Sequence, residues 1–145
     1  MTAKEYLRQA YRLDQRINSH IAEAARLREM AASIGSPGFE EHYNPNRPTE
    51  ASFVHTLERV WEMEQIINAE VDKLVDLKNE IREVIGKVQD TDEQLVLRYR
   101  YIHNWTWERI GDALHAGKST IRRWHGSALA HVVLPEHPMK ISEGN

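Results

Sequence analysis

The chain has 145 residues, 19 Lys and Arg against 22 Asp and Glu, a net charge of −3 and no cysteine. That length holds one domain or two small ones, and the missing thiols exclude disulfides and thiolate metal sites and suit a reducing compartment. No apolar run approaches the ~18 residues that a membrane span needs, and the charged start "MTAKEYLRQAYRLD" does not read as a signal peptide, so a soluble, cytoplasmic protein with no membrane partner is expected.

Residues 3–34 read as one long helix. Tyr6, Ala10, Leu13, Ile17, His20, Ala24, Leu27, Ala31 and Ile34 recur in alternating steps of four and three, which is heptad spacing. Leu7 and Ile21 are expected to widen that stripe. The segment "GSPGFEEHYNPNRPT", residues 35–49, breaks the helix with Gly, Pro and Asn and predicts a long, mobile loop.

A second helix is expected from about residue 50 to 88. Its stripe takes in Leu57, Val60, Ile67, Val71, Leu74, Ile81, Ile85 and Val88, with Trp61, Met63, Leu77 and Val84 beside it. Each helix would span roughly 45–55 Å at ~1.5 Å per residue. The two are expected to fold back as an antiparallel, coiled-coil-like hairpin. Two helices leave much apolar surface uncovered, so a partner is expected: a second copy, the C-terminal part of the chain, or another protein.

Thr91 with Gln94 three residues later has the pattern of a capping box and marks a new start. Short helices are expected over about 92–102, 106–113 and 118–133, ended by Pro135 and followed by a flexible tail. The predicted organisation is therefore all-α: a hairpin over 1–90 for oligomerisation or interaction, a three-helix domain over 91–134, and a tail over 135–145. Charge follows this division. Residues 1–90 carry twelve Lys/Arg and sixteen Asp/Glu, whereas residues 91–134 carry six and four. A locally basic segment in an acidic chain points toward phosphate contact.

The stretch "GDALHAGKSTIRRWHG", residues 111–126, admits two readings. Gly117-Lys118-Ser119 resembles the end of a phosphate-binding P-loop. That motif requires four residues between its glycines and a preceding buried strand. Here Gly111 and Gly117 are separated by five, and "YIHNWTWERI" is no strand. The helix-turn-helix reading fits better. Thr106 can cap the first helix, with Glu108 in its first turn. Ile110, Ala113 and Leu114 form an apolar face, Gly111 allows close helix packing, "HAG" makes the turn, and Gly117 stands at the second N-cap. In the second helix Ile121, Trp124, Ala128 and Val132, with Leu129 adjoining, should face the core. Lys118, Ser119, Arg122 and His125 should face outward, with Thr120 and Arg123 at the margins, as in a helix that reads the major groove.

"LRYRYIHNWTWERIGDALHAGKSTIRRWHGSALAHV" resembles region 4 of sigma-70-like factors. "LVDLKNEIREVIGKV", "RYRYIHNWTWERIG" and "RRWHGSAL" together resemble a family of short phage and prophage proteins built on domain of unknown function 1492, related to late-gene activators of the ArpU and RinA type. Trp107, Glu108, Ile110, Ile121, Arg123, His125, Gly126, Ala128 and Leu129 carry the likeness. Gly111 stands for a usual Ala, Gly117 for a usual Ser, and "HAG" for a Gly-aromatic-Ser turn, departures expected to weaken the unit by about a kcal/mol. The resemblance implies transcription regulation in a phage or other mobile element.

No catalytic set or metal site can be assembled by spacing, so no enzymatic activity and no cofactor are expected. His103, His115, His125 and His131 read as surface, turn or phosphate-contacting residues, and Trp105 and Trp107 as packing residues. The expected function is sequence-specific binding of double-stranded DNA through Thr106, Lys118, Ser119, Thr120, Arg122, Arg123 and His125. A homodimer formed by the hairpin, and RNA polymerase or another phage or host regulator, are the expected partners. The alternative is a protein-interaction adaptor that grips a repressor or polymerase subunit through the hairpin.

Overall fold

The computed structural model describes residues 1–34 and 50–142. The loop expected at 35–49 lies outside the described residues, as does the end of the tail. The order is α1 (Ala3–Ile34), α2 (Glu50–Gly86), α3 (Thr91–Leu97), a π-helical turn (Arg98–Ile102), α4 (Trp107–Leu114) and α5 (Lys118–His131). The class is all-α as expected: two long helices that pack together, then a cluster of short ones. No described helix is long and apolar enough to cross a membrane.

Two compact units divide the chain, Gln15–Asp72 and, in the other, Met1–Asp14 with Lys73–Asn145. In the Gln15–Asp72 unit, Ile17, Ala24 and Ala31 of α1 are buried, as are Val60 and Met63 of α2. The helices run antiparallel: Glu70 of α2 meets Arg16 (Nε–Oε2 2.6 Å) and His20 (Nδ1–Oε1 2.5 Å), while Glu64, earlier in α2, meets Arg28, later in α1.

The seam of α2 differs from the expected one. Covered positions run Val60, Met63, Ile67 and Glu70 in this unit and Leu74, Leu77, Ile81 and Val84 in the other, an unbroken heptad spacing that Val88 continues just past the end of the helix. Val71 and Leu57, placed on the seam by hydrophobicity, are 39% and 43% exposed. On α1, Ile21 is likewise 47% exposed. A carboxylate occupies a seam position because its two oxygens are matched by Arg16 and His20, which removes the cost of burying an unpaired charge. Glu70→Ala deletes both charged hydrogen bonds. It is expected to lower stability by about 1–3 kcal/mol, measurable by urea denaturation.

The core of the Met1–Asp14/Lys73–Asn145 unit draws on both sides of residue 90. Tyr6, Leu7 and Ala10 of α1, Leu77, Ile81 and Ile85 of α2, Leu97 of α3 and Ala128 of α5 form one buried cluster. The Tyr6 hydroxyl donates to Glu80 Oε2 at 2.7 Å. The segment after Pro135 is held rather than loose, through residue 142. Met139 and Ile141 pack against this core. The Gln9 side-chain amide donates to Met139 O (3.0 Å) and accepts from Ile141 N (2.8 Å), and Met139 N donates to Glu80 Oε2 (3.0 Å). Two apolar residues in a polar stretch are enough to dock it.

The start of α3 also differs in detail from the capping box. Asp90, not Thr91, is the N-cap: its backbone is extended and its Oδ1 accepts from Glu93 N at 3.0 Å. Gln94 instead turns back to the end of α2, donating to the carbonyls of Ile85, Gly86 and Val88 at 3.2–3.4 Å. The Ile85 and Gly86 carbonyls are among those that the helix terminus leaves without intrahelical partners. One amide thus ties α3 to α2.

Candidate nucleic-acid interface

A second, smaller core holds α4 and α5 together. Val96, Ile110 and Ile121 are its buried centre, with Trp105, Trp107, Leu114 and Trp124 packed around them. Thr106 caps α4 as expected, its backbone extended and its Oγ1 accepting from Arg109 N at 3.2 Å. The turn between the helices is set by one residue in the left-handed region, His115 (φ 53°, ψ 45°). The amides of His115 and Ala116 both reach back to Gly111 O.

Two of the three departures, at His115 and Gly117, lie in this turn. His115 occupies the left-handed position where a glycine carries no Cβ penalty. Gly117 has ordinary extended angles (φ −68°, ψ 159°), no side-chain cap, and open space where a Cβ would stand. Neither residue is required by geometry. His115→Gly with Gly117→Ser should therefore raise stability by about 0.5–1 kcal/mol, seen as a thermal midpoint a few degrees higher.

Along α5 the expected DNA-facing residues mostly lie where the periodicity put them. Lys118, Ser119, Arg122 and Arg123 are exposed, and Thr120 is half-buried. Lys118 Nζ lies 3.8 Å from Glu108 Oε1, and both side chains are more than half exposed, a pair too solvated to immobilise the ammonium. Thr106, also exposed, stands at the start of α4.

His125 is the correction. It is 9% exposed, and its Nε2 is hydrogen-bonded to the buried Tyr101 hydroxyl at 2.6 Å. Its ring lies 4.7 Å from Trp107, edge to face, and 5.6 Å from Tyr101. Four residues after Ile121 and three before Ala128, it falls on the inward stripe of α5 rather than the outward ridge. Burial, reinforced by the charges of Lys4 and Arg100, pushes its pKa down to about 4.

Reading the sequence missed what secures α5 from the other side. Glu93 of α3 is buried and accepts hydrogen bonds from Ser127 Oγ (2.6 Å) and His131 Nδ1 (2.7 Å). These bonds hold its carboxyl below the usual carboxylate range. The two groups give the protein distinct acid responses. His125 stays neutral in the folded state but binds a proton when unfolded, so its stabilisation is complete above pH 6.5 and is lost as pH falls toward 4. The contribution of Glu93 is present above pH 4.5 and is lost below it. The thermal midpoint should fall in both windows. His125→Gln should flatten the upper one alone, and Glu93→Gln the lower one alone.

The π-helical turn gives the site its aromatic and cationic layer. Tyr99 stacks on Trp105 at 4.3 Å, and the Arg109 guanidinium lies 4.0 Å over the other partner's ring, that of Trp105. Arg100 lies 4.3 Å over Trp107 and donates to Trp105 O at 3.0 Å. Asn104, with φ 57°, makes the bend that follows, a conformation asparagine tolerates. Trp105 and Trp107 are thus packing residues, half-buried and each paired with an arginine.

Residues 90–132 match the family model of sigma-70, region 4. This match and the geometry together define the segment as a helix-turn-helix of the DNA-binding kind, compatible with transcription regulation. No curated protein and no solved structure matches the chain.

Proposed function

We propose that this is a cytoplasmic, sequence-specific regulator of transcription that binds double-stranded DNA, of the phage or prophage type related to the ArpU and RinA activators. The supporting observation is the outward ridge of α5: Lys118, Ser119, Arg122 and Arg123 stand exposed on a helix whose underside is fixed by Ile121 and Trp124. In this reading α5 enters the major groove. Arg122 and Arg123 contact guanines or phosphates, Lys118 supplies a phosphate contact, and Ser119, Thr120 and Thr106 bond bases or backbone. His125 acts from below, as a packing residue.

One such module makes few contacts, so useful affinity calls for a dimer or a polymerase partner. On α2, Val54, Leu57 and Trp61 are 47%, 43% and 62% exposed at i, i+3, i+7 spacing, one apolar face of a helix. We assign residues 1–90 to dimerisation through this face and 91–134 to DNA. Selection of bound sequences from random duplexes should return two related half-sites. Mass measured in solution should be that of a dimer, and Leu57→Glu with Trp61→Glu should yield monomer. A single unpaired site, or no enriched sequence, would refute this arrangement.

The same apolar face supports a second reading, an adaptor that grips a repressor or polymerase subunit. Retention of such a protein with no retention of DNA at ~50 mM salt would select it.

A further inference from the structure

Beside the outward ridge lies a cavity of about 520 Å³, within the range of small-molecule sites. Its charged lining is Lys4 and Arg8 of α1, Arg100 of the π-helical turn and Arg122 of α5; among the described residues no carboxylate takes part. Among the described residues, the side chains of Lys4, Arg8 and Arg122 make no ion pair or hydrogen bond. Four cations gathered without an acid repel one another, and the arrangement is relieved by an anion. Guanidinium forks and an ammonium match phosphate oxygens in particular.

The walls are aromatic. Tyr11 is 46% exposed and offers a free ring, Trp107 is half-buried, and Tyr101 and His125 are buried among the lining residues. A duplex presents its phosphates on a convex ridge, which can touch the exposed Arg122 but cannot reach Tyr101 at 6% exposure or His125 at 9%. A small ligand can. On α1, Lys4, Arg8 and Tyr11 follow one another at i, i+4 and i+7 on one face, so cations and ring are presented together.

We propose that this cavity binds a nucleoside phosphate, its phosphate oxygens held by Lys4, Arg8 and Arg122 and its base laid on Tyr11. The inference goes beyond the DNA-binding reading. Arg122 belongs to both surfaces, so ligand and duplex would compete for it; that consequence alone rests on the DNA reading.

The test is calorimetric titration of the full chain with two probes, ADP and inorganic pyrophosphate. Saturable binding of both is expected, with ADP several-fold tighter because the base stacks. Lys4→Gln and Arg8→Gln should each weaken ADP about tenfold. Both side chains are exposed, so the variants should fold, as thermal midpoints no lower than the parent's will show. Arg26→Gln, a cation elsewhere on α1, should bind as the parent does. No saturation below ~1 mM, or equal losses in all three variants, would overturn the proposal. Equal affinity for the two probes would overturn the nucleoside assignment. A fall in duplex affinity in Arg8→Gln with no ADP binding would hand the cavity to DNA. Failure of duplex binding with ADP binding intact would leave the cavity standing and remove the regulatory reading.

Discussion

Arg122→Ala is expected to weaken binding to a selected duplex roughly tenfold to a hundredfold, and to relax preference at one base position. Those are the consequences of losing a bidentate guanine contact in the major groove. Lys118→Ala should act differently. Its ammonium is a point charge on an exposed stem, loosely opposite Glu108 at 3.8 Å. Its loss should weaken all sequences alike and reduce the salt slope by about one. The contrast between the two variants is the informative feature, and competition binding on matched and mismatched duplexes reads it. Equal behaviour of both would make Arg122 a phosphate contact like Lys118, and no effect of either would mean that α5 does not enter the groove. His125→Gln, in contrast, should leave specificity unaltered, because the ring is occupied with Tyr101 and Trp107.

Gly111→Ala is expected to destabilise the protein by about 1–3 kcal/mol, against the intuition that alanine improves a helix. Propensity alone favours alanine by about 1 kcal/mol. Yet an added Cβ at Gly111 would stand 2.7 Å from the Ala116 carbonyl oxygen, and 3.8 Å from Ile121 Cγ1. The oxygen belongs to the backbone of the turn, which is fixed by the left-handed His115 and by the Ala116 amide bonded to Gly111 O at 3.0 Å. It cannot move without opening the angle between α4 and α5. The need for a small residue therefore arises from the turn folding back over α4, rather than from the crossing of the two helices. Denaturant unfolding checks the sign: a more stable Gly111→Ala would show that the turn yields. The same variant should lose duplex affinity, since the ridge of α5 would shift with the turn.

Much of the fold was legible because helical periodicity and turn chemistry leave strong marks. The seam of α1 from Tyr6 to Ala31, the Thr106 cap, the "HAG" turn and the Ile121–Ala128 stripe all follow from spacing of apolar and capping residues. What escaped were places where a polar residue takes an apolar position. Glu70 sits on the α2 seam and His125 on the inner stripe of α5. In each, the burial is made tolerable by partners distant in sequence: Arg16 and His20 for Glu70, Tyr101 for His125. Local pattern contains no trace of such partners, so hydrophobicity shifted the seam to Val71 and the ridge to His125. Asp90 displaced Thr91 as the cap for a related reason, since either side chain can cap and only the chain path from α2 decides. The π-helical turn has no sequence signature. It nonetheless gives Arg100 and Tyr101 their places in the cavity, together with Lys4 and Arg8, which sit about a hundred residues earlier in the chain.

The most direct test is the affinity of the full-length chain for a selected duplex between ~50 and ~200 mM salt. Association that weakens steeply, with a slope near −0.9 for each phosphate neutralised and a selected-to-random affinity ratio of at least about 10³, is the expected result. No retention of any duplex at ~50 mM salt, where even non-specific contacts hold, would contradict the assignment of the α5 ridge to DNA.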